Sequence, residues 1–194
     1  PKGFLKKIYQ EIRSFGGVVI ADEVQSGFGR LGDQMWAYQD DAVVPDIVTM
    51  GKPMGNGHPV SALLTHRELI ESLDQAYNGN SYFNTFGGNP VSAAAALSVL
   101  DIIEEDSLID QAGQVGDYLK KQLRNTLQNK ESVVEIRGKG LFLGIELDDP
   151  SKTAKTMEEM MRQGVLVGKT GPTNSVIKLR PSMTFKKEHA DLLV

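Results

Sequence analysis

Two residues in this chain are placed to do chemistry, a lysine and an aspartate. Lys52 follows the largely apolar run Asp46-Ile47-Val48-Thr49-Met50-Gly51 and precedes the glycine-punctuated stretch Pro53-Met54-Gly55-Asn56-Gly57-His58-Pro59. Thirty residues earlier, the apolar run Val18-Val19-Ile20-Ala21 ends in Asp22-Glu23-Val24-Gln25. Read as two buried strands lying side by side, these runs put a carboxylate and an amine in one crevice. Ligands of open α/β sheets sit at such carboxyl ends of strands. A lysine amine can form a Schiff base with an aldehyde cofactor, and a carboxylate can hold a protonated ring nitrogen that makes the ring an electron sink. Either residue alone is an ordinary polar end to an apolar run. The glycine-rich neighbourhoods set the pair apart.

The elements that must position them follow from periodicity. Phe4, Leu5, Ile8, Tyr9 and Ile12 recur at helical spacing, and Gly16-Gly17 stops that helix. Strands are expected over Val18–Ala21, Ile47–Met50 and Val60–Thr65, with a glycine-rich loop at 26–32 and a short helix over Arg67–Asp74. Asn78–Asn89 reads as a loop. Asn89 then caps a core helix over Val91–Ile103 whose first turn holds Pro90. Leu108, Ala112, Val115, Leu119 and Leu123 mark a long amphipathic helix. Strands Val133–Arg137 and Leu141–Leu147 flank a turn at Gly138-Lys139-Gly140. A helix over Lys152–Gln163 and strands over Val165–Val167 and Val176–Arg180 complete the pattern, and Lys186–Val194 reads as the opening of a helix. Helices alternate with strands, which makes the class α/β. The composition shift at Glu104-Glu105-Asp106 divides the chain into 1–105 and 106–194.

Composition narrows the function. The chain has 194 residues, 40% of them hydrophobic and 24% charged, and a net charge of −4. It lacks the basic stripe of a nucleic-acid binder and the polybasic run of a membrane-surface protein. No apolar run reaches spanning length. With no cysteine, thiolate catalysis and disulfides are excluded. A cytoplasmic location is expected. No metal-ligand spacing is present, and Met54, Met157, Met160 and Met161 read as packing residues. The chain opens at Pro1-Lys2-Gly3 without an initiator Met, which reads as part of a longer protein.

Three segments carry a resemblance. ADEVQSGFGRLG resembles the cofactor-ring motif of class III, fold type I, pyridoxal-phosphate aminotransferases. VTMGKPMGNGHPVSALLT resembles their Schiff-base lysine segment, and YFNTFGGNPVSAAAALSVLDII their phosphate-contact loop and helix. The resemblance implies the C-terminal part of a fold type I transferase: residues 1–105 as the second half of the large cofactor-binding domain, and 106–194 as the small α/β domain. It implies pyridoxal 5'-phosphate as cofactor, with Lys52 as Schiff-base lysine and proton carrier and Asp22 on the pyridine nitrogen. Val24 would pack on a ring face, Gln25 would bond near the ring hydroxyl, and Thr85 would offer a hydroxyl to the phosphate of a partner subunit in a homodimer. Lys52 must lose its proton to act, which burial and a cationic ring favour. Arg180, in IKLRPSM, matches an arginine that binds substrate carboxylate as a bidentate fork. Arg30 reads as a structural partner of loop or acid groups, and His58 as a structural turn residue.

The wording of the second and third motifs resembles the branch of alanine–glyoxylate aminotransferase 2 and the phospholyases of phosphorylated amines. In those phospholyases the position of Arg180 tends to be lysine, so the arginine favours transamination between an amine or amino acid and a keto acid. A phospholyase and a non-catalytic, truncated or dimerising homologue remain the alternatives. The family's phosphate-binding turn and second ring-stacking aromatic lie upstream of the first motif, so the isolated chain is expected to bind cofactor weakly or not at all, and to be inactive.

Overall fold

The aspartate at 46 organises the start of the first sheet in a computed structural model that describes residues 3–79 and 82–194. Its carboxylate accepts the Val19 amide at 2.8 Å and pairs with Arg13 at 2.8 Å, while Val19 O accepts the amides of Asp46 and Ile47 at 3.0 and 3.1 Å. Strand β1 (Ile20–Asp22) therefore begins two residues later than periodicity suggests, because the Val19 amide is taken by a side chain. It runs parallel to β2 (Ile47–Met50), with Ile20 opposite Ile47 and Asp22 opposite Thr49. β3 (Ala62–Thr65) pairs antiparallel with β2 and begins where β2 ends, with Ala62 opposite Met50.

Close packing groups the chain into two units, Pro1–Phe28 with Gln34–Asp106, and Gly29–Asp33 with Ser107–Val194. The first holds the β1-β2-β3 sheet and helices α1 (Phe4–Ser14), α2 (Arg67–Ala76) and α3 (Pro90–Glu105). Helix α1 starts on Gly3, whose side chain cannot cap, and Asp41 does so from a distance. Its carboxylate accepts the Gly3 and Leu5 amides, each at 2.8 Å. The Gly3 amide is the main cause that holds the Asp41 carboxyl below its ordinary range. Asn89 caps α3 as expected, its side chain accepting the Ser92 amide. The expected Asn78–Asn89 loop includes Asn80 and Ser81, which lie outside the described residues, as do Pro1 and Lys2.

Two expectations for this unit need correction. β1 buries Ala21 but leaves Ile20 58% exposed. Helix α3, expected to be a core helix, buries only Ala96 and Ile103 and exposes Val91, Leu97 and Ile102.

The second unit is an antiparallel sheet in the order β4-β5-β7-β6 with three helices. Its elements are α4 (Leu108–Leu127), β4 (Val133–Lys139), β5 (Phe142–Leu147), α5 (Pro150–Arg162), β6 (Gly168–Thr170), β7 (Val176–Leu179) and α6 (Lys187–Leu193). Leu119 and Leu123 of α4 meet Leu143, Ile145, Leu147, Ile177 and Leu179 of the sheet and Ala190 of α6 in one core. The hairpin exists, but its turn is Gly140-Leu141, since Gly138 stays in the ladder opposite Leu143. Leu141 is fully buried against Ala112 and Val115, which withdraws it from the strand. The strand expected at Val165–Val167 forms instead at Gly168–Thr170, where it pairs with β7. Among the described residues no helix is long and apolar enough to cross a membrane, and no group of three or more acids or histidines could hold a metal.

Glycines set the closest approach in this unit. A methyl built on Gly116 of α4 would overlap the Gly140 carbonyl, and one on Gly113 would lie 2.6 Å from Gly32 O. Alanine gains about 1 kcal/mol in helix propensity over glycine, but overlap with backbone costs about 1–3 kcal/mol. We expect Gly116→Ala to lower the urea midpoint, and a raised midpoint would show that the backbone can part there. A second expectation concerns acid. Burial pushes the Asp46 carboxyl up, but the Val19 amide and the Arg13 bond outweigh it, and the net shift is downward. A depressed folded value means stability that is present above the unfolded value of about 3.9 and lost as pH falls through the folded one. Denaturant melts at pH 6 and pH 2.5 should therefore show a larger acid loss for the wild type than for Asp46→Asn.

Candidate functional site

Parallel pairing brings the lysine and the aspartate to one sheet edge. Asp22 ends β1 opposite Thr49, and Lys52 lies three residues past Thr49 on the 3-10 turn Lys52–Gly55. With strands about 4.8 Å apart and at most about 3.5 Å per residue along the chain, the two Cα atoms lie within roughly 15 Å of each other. Both side chains are exposed. The desolvated Lys52 amine expected from sequence is thus not met within this unit, because the lysine sits on a turn beyond the strand and not in it. Its backbone is in the left-handed region, at φ 35°, uncommon for a residue with a side chain. Non-glycine residues held there cluster at functional sites.

Asp22 is oriented before any ligand arrives. Its Oδ1 accepts the Val24 amide at 3.0 Å and the Thr49 hydroxyl at 3.5 Å. Val24 is half-buried and Gln25 is exposed. The neighbouring Glu23 points the opposite way, as strand alternation requires, and is 2% exposed. Its carboxylate accepts the Ser26 hydroxyl at 2.8 Å and the Tyr38 amide at 3.0 Å, and its own amide donates to Thr49 O at 2.9 Å. Burial first, and then the Glu23 charge, push the phenols of Tyr9 and Tyr38 up. Glu23 is the residue that sequence reasoning missed. Glu23 directly follows the outward-facing Asp22 and its amide still bonds Thr49 O, so the alternation of the strand carries one residue further, and that was the available signal.

The glycine-rich loop is packed rather than loose. Trp36 lies so close to Gly27 that a Cβ there would sit 2.8 Å from its ring, and Phe28 meets Trp36 edge to face at 5.1 Å. The turn holding Thr85 is equally ordered. Asn84 Oδ1 accepts the Phe86 amide at 2.9 Å, and Asn89 Nδ2 donates to Phe86 O at 2.7 Å. Ser92 Oγ receives Asn89 Nδ2 at 2.9 Å and lies 2.9 Å from His58 Nε2. His58 thereby ties the loop that follows Lys52 to the turn that carries Thr85. Thr85 itself is exposed, among Tyr82, Phe83 and Phe86, which are 81%, 85% and 79% exposed.

Arg180 belongs to the second unit, immediately after β7. Its guanidinium carbon lies 4.2 Å from the centroid of the Phe142 ring, and burial pulls its pKa below the ordinary arginine value. Arg30 is in the same unit and donates to the Pro181 carbonyl, so its partner is backbone and not an acid. Burial, and then the charge of Arg180, lower the Arg30 pKa.

The family model of class-III aminotransferases matches residues 1–194. The chain is 46% identical to an alanine–glyoxylate aminotransferase 2-like protein of Drosophila melanogaster over 98% of its own length and 40% of the relative's. It is 40% identical to an ethanolamine-phosphate phospho-lyase homolog of Caenorhabditis elegans over 97% of its length and 42% of that protein's. A solved phospholyase from Arthrobacter, in complex with phosphoethanolamine, superposes with a TM-score of 0.92 at 46% identity, covering 100% of this chain and 47% of that one. The chain thus spans less than half the length of these relatives and adopts the fold type I architecture of their solved members. The chain belongs to the class III aminotransferases, a family of pyridoxal-phosphate enzymes.

Proposed function

We propose that this chain supplies the lysine, ring acid and phosphate hydroxyl of a transaminase that moves an amino group from an amine or amino acid to a keto acid. The observation that carries the reading is the β1–β2 register, which sets Asp22 and Lys52 at one strand edge. The residues there suit pyridoxal phosphate: an exposed, pre-oriented carboxylate, an exposed amine and a half-buried valine. When bound, the cofactor supplies an electron sink for the substrate carbon. Asp22 holds the ring N–H proton through its carboxylate, whose Oδ1 is already fixed by Val24 and Thr49. Val24 covers a ring face with apolar surface. Gln25 bonds near the ring hydroxyl. Lys52 takes the proton from the substrate carbon and returns it to the other side of the transfer.

Thr85 offers its hydroxyl to a phosphate of the partner subunit. The three exposed aromatics around it suit a surface that a second copy covers. Arg180 receives a substrate carboxylate as a bidentate fork. Residues 1–105 act in this reading as part of the large domain and 106–194 as the small one.

A phospholyase is the second reading, favoured by the relatives named for that reaction. The complete cofactor-loaded protein separates the two: keto-acid-dependent amino transfer without phosphate release supports transamination, and amine loss from a phosphorylated amine without any keto acid overturns it. Lys52→Ala should abolish the visible absorbance of lysine-bound cofactor and lower turnover by at least about 100-fold. Retention of both would remove Lys52 from the chemistry. A complete protein that folds and dimerises, yet turns over neither kind of substrate, would point to the non-catalytic alternative.

A further inference from the structure

Arg180 lies in a frame built by residues that the transamination reading does not use. β5 and β7 pair antiparallel, with Leu143 opposite Leu179 and Gly144 opposite Lys178. The next step of that register sets Phe142 opposite Arg180, and the guanidinium carbon lies 4.2 Å from the Phe142 ring centroid. A guanidinium held by its face against an aromatic ring still presents N–H donors along its edges. Arg30 braces both strands at one end of this pair. Its carbonyl accepts the amide of Leu141, the residue before Phe142, at 3.1 Å, and its guanidinium donates to the carbonyl of Pro181, the residue after Arg180. Leu141 is fully buried and Arg30 half-buried, so the brace is anchored in the core of the second unit.

We infer that Phe142 and Arg30 are positioning residues that hold Arg180 ready to fork a substrate carboxylate. The inference rests on the carboxylate role proposed above for Arg180. Its physical content is preorganisation: an arginine side chain loses rotamer freedom on binding, and a side chain already stacked on a ring loses less. Phe142 supplies the face, and Arg30 fixes the backbone on each side. The like charge of Arg30 also disfavours a swing of the Arg180 guanidinium toward it.

The test uses the complete cofactor-loaded protein, with sodium propionate as a plain carboxylate probe and the Arg180 Nε–H group observed by NMR. In the wild type this signal should be ring-shifted, more ordered than that of exposed Arg67, and responsive to propionate. Phe142→Leu keeps apolar volume and removes the π face. It should erase the ring shift and weaken propionate about two- to fivefold, while Phe142→Tyr restores both. Unchanged affinity in Phe142→Leu, with Arg180 still responding, overturns the positioning role alone. An Arg180 signal that is ring-shifted but indifferent to propionate overturns the carboxylate reading and this inference with it. If Phe142→Leu does not fold, the wild-type comparison decides: an Arg180 group as mobile as Arg67 sinks the proposal.

Discussion

The parallel pairing of β1 with β2 is the constraint on which the candidate site depends. Parallel strands send their carboxyl ends to the same edge, so an acid that ends one and a lysine that follows the other become neighbours without any contact of their own. Asp46 sets that pairing in register by engaging the Val19 amide and Arg13 just before the strands begin. Glu23 locks it at the other end, its amide on Thr49 O and its carboxylate beneath the loop that leads away from Asp22. A buried carboxylate is costly unless hydrogen-bonded, and this one has two donors. Two acids outside the proposed pair thus fix where Asp22 and Lys52 stand.

The pair proposed for the chemistry was legible in the sequence because charged residues that end apolar runs stand out. Asp22 and Lys52 stand out as charges at the ends of apolar segments, and Asn89-Pro90 announces a helix start by capping logic alone. What was not legible depended on side chains acting on distant backbone. The late start of β1 follows from the Val19 amide bonding Asp46, and the cap of α1 comes from Asp41 and not from its own first residue. Local spacing holds no trace of either. The displaced turn at Gly140-Leu141 has the same origin: Leu141 is drawn into a core formed with α4, a contact that no hairpin pattern encodes. The exposure of Lys52 and of most of α3 escaped for a different reason. Periodicity marks a surface as apolar, but it does not say whether the elements at hand cover it.

The two units differ in what orders them. In the second, eight buried apolar residues from two helices and the sheet close a core, so packing does most of the work. In the first, order near the site comes largely from hydrogen bonds: the Asn84 and Asn89 side chains shape the Thr85 turn, and the His58–Ser92 contact joins that turn to the loop after Lys52. Such bonds are short-ranged and directional, so they fix a side chain's position more sharply than apolar burial does. Sites that must hold reacting groups to a fraction of an ångström gain from that kind of support.

The segment Gly29–Asp33 belongs with the second unit although it lies inside the sequence of the first. Leu141 finds the acceptor for its amide on Arg30, the Pro181 carbonyl finds its donor there, and Lys139 finds its acid on Asp33. A copy of residues 107–194 alone would leave a buried amide without its acceptor. The second unit is therefore not a cassette that recombination could lift out at one junction. Exchange between relatives at the boundary near 106 would succeed only where the donor also brought a matching stretch for Gly29–Asp33, which binds the evolution of the two units together.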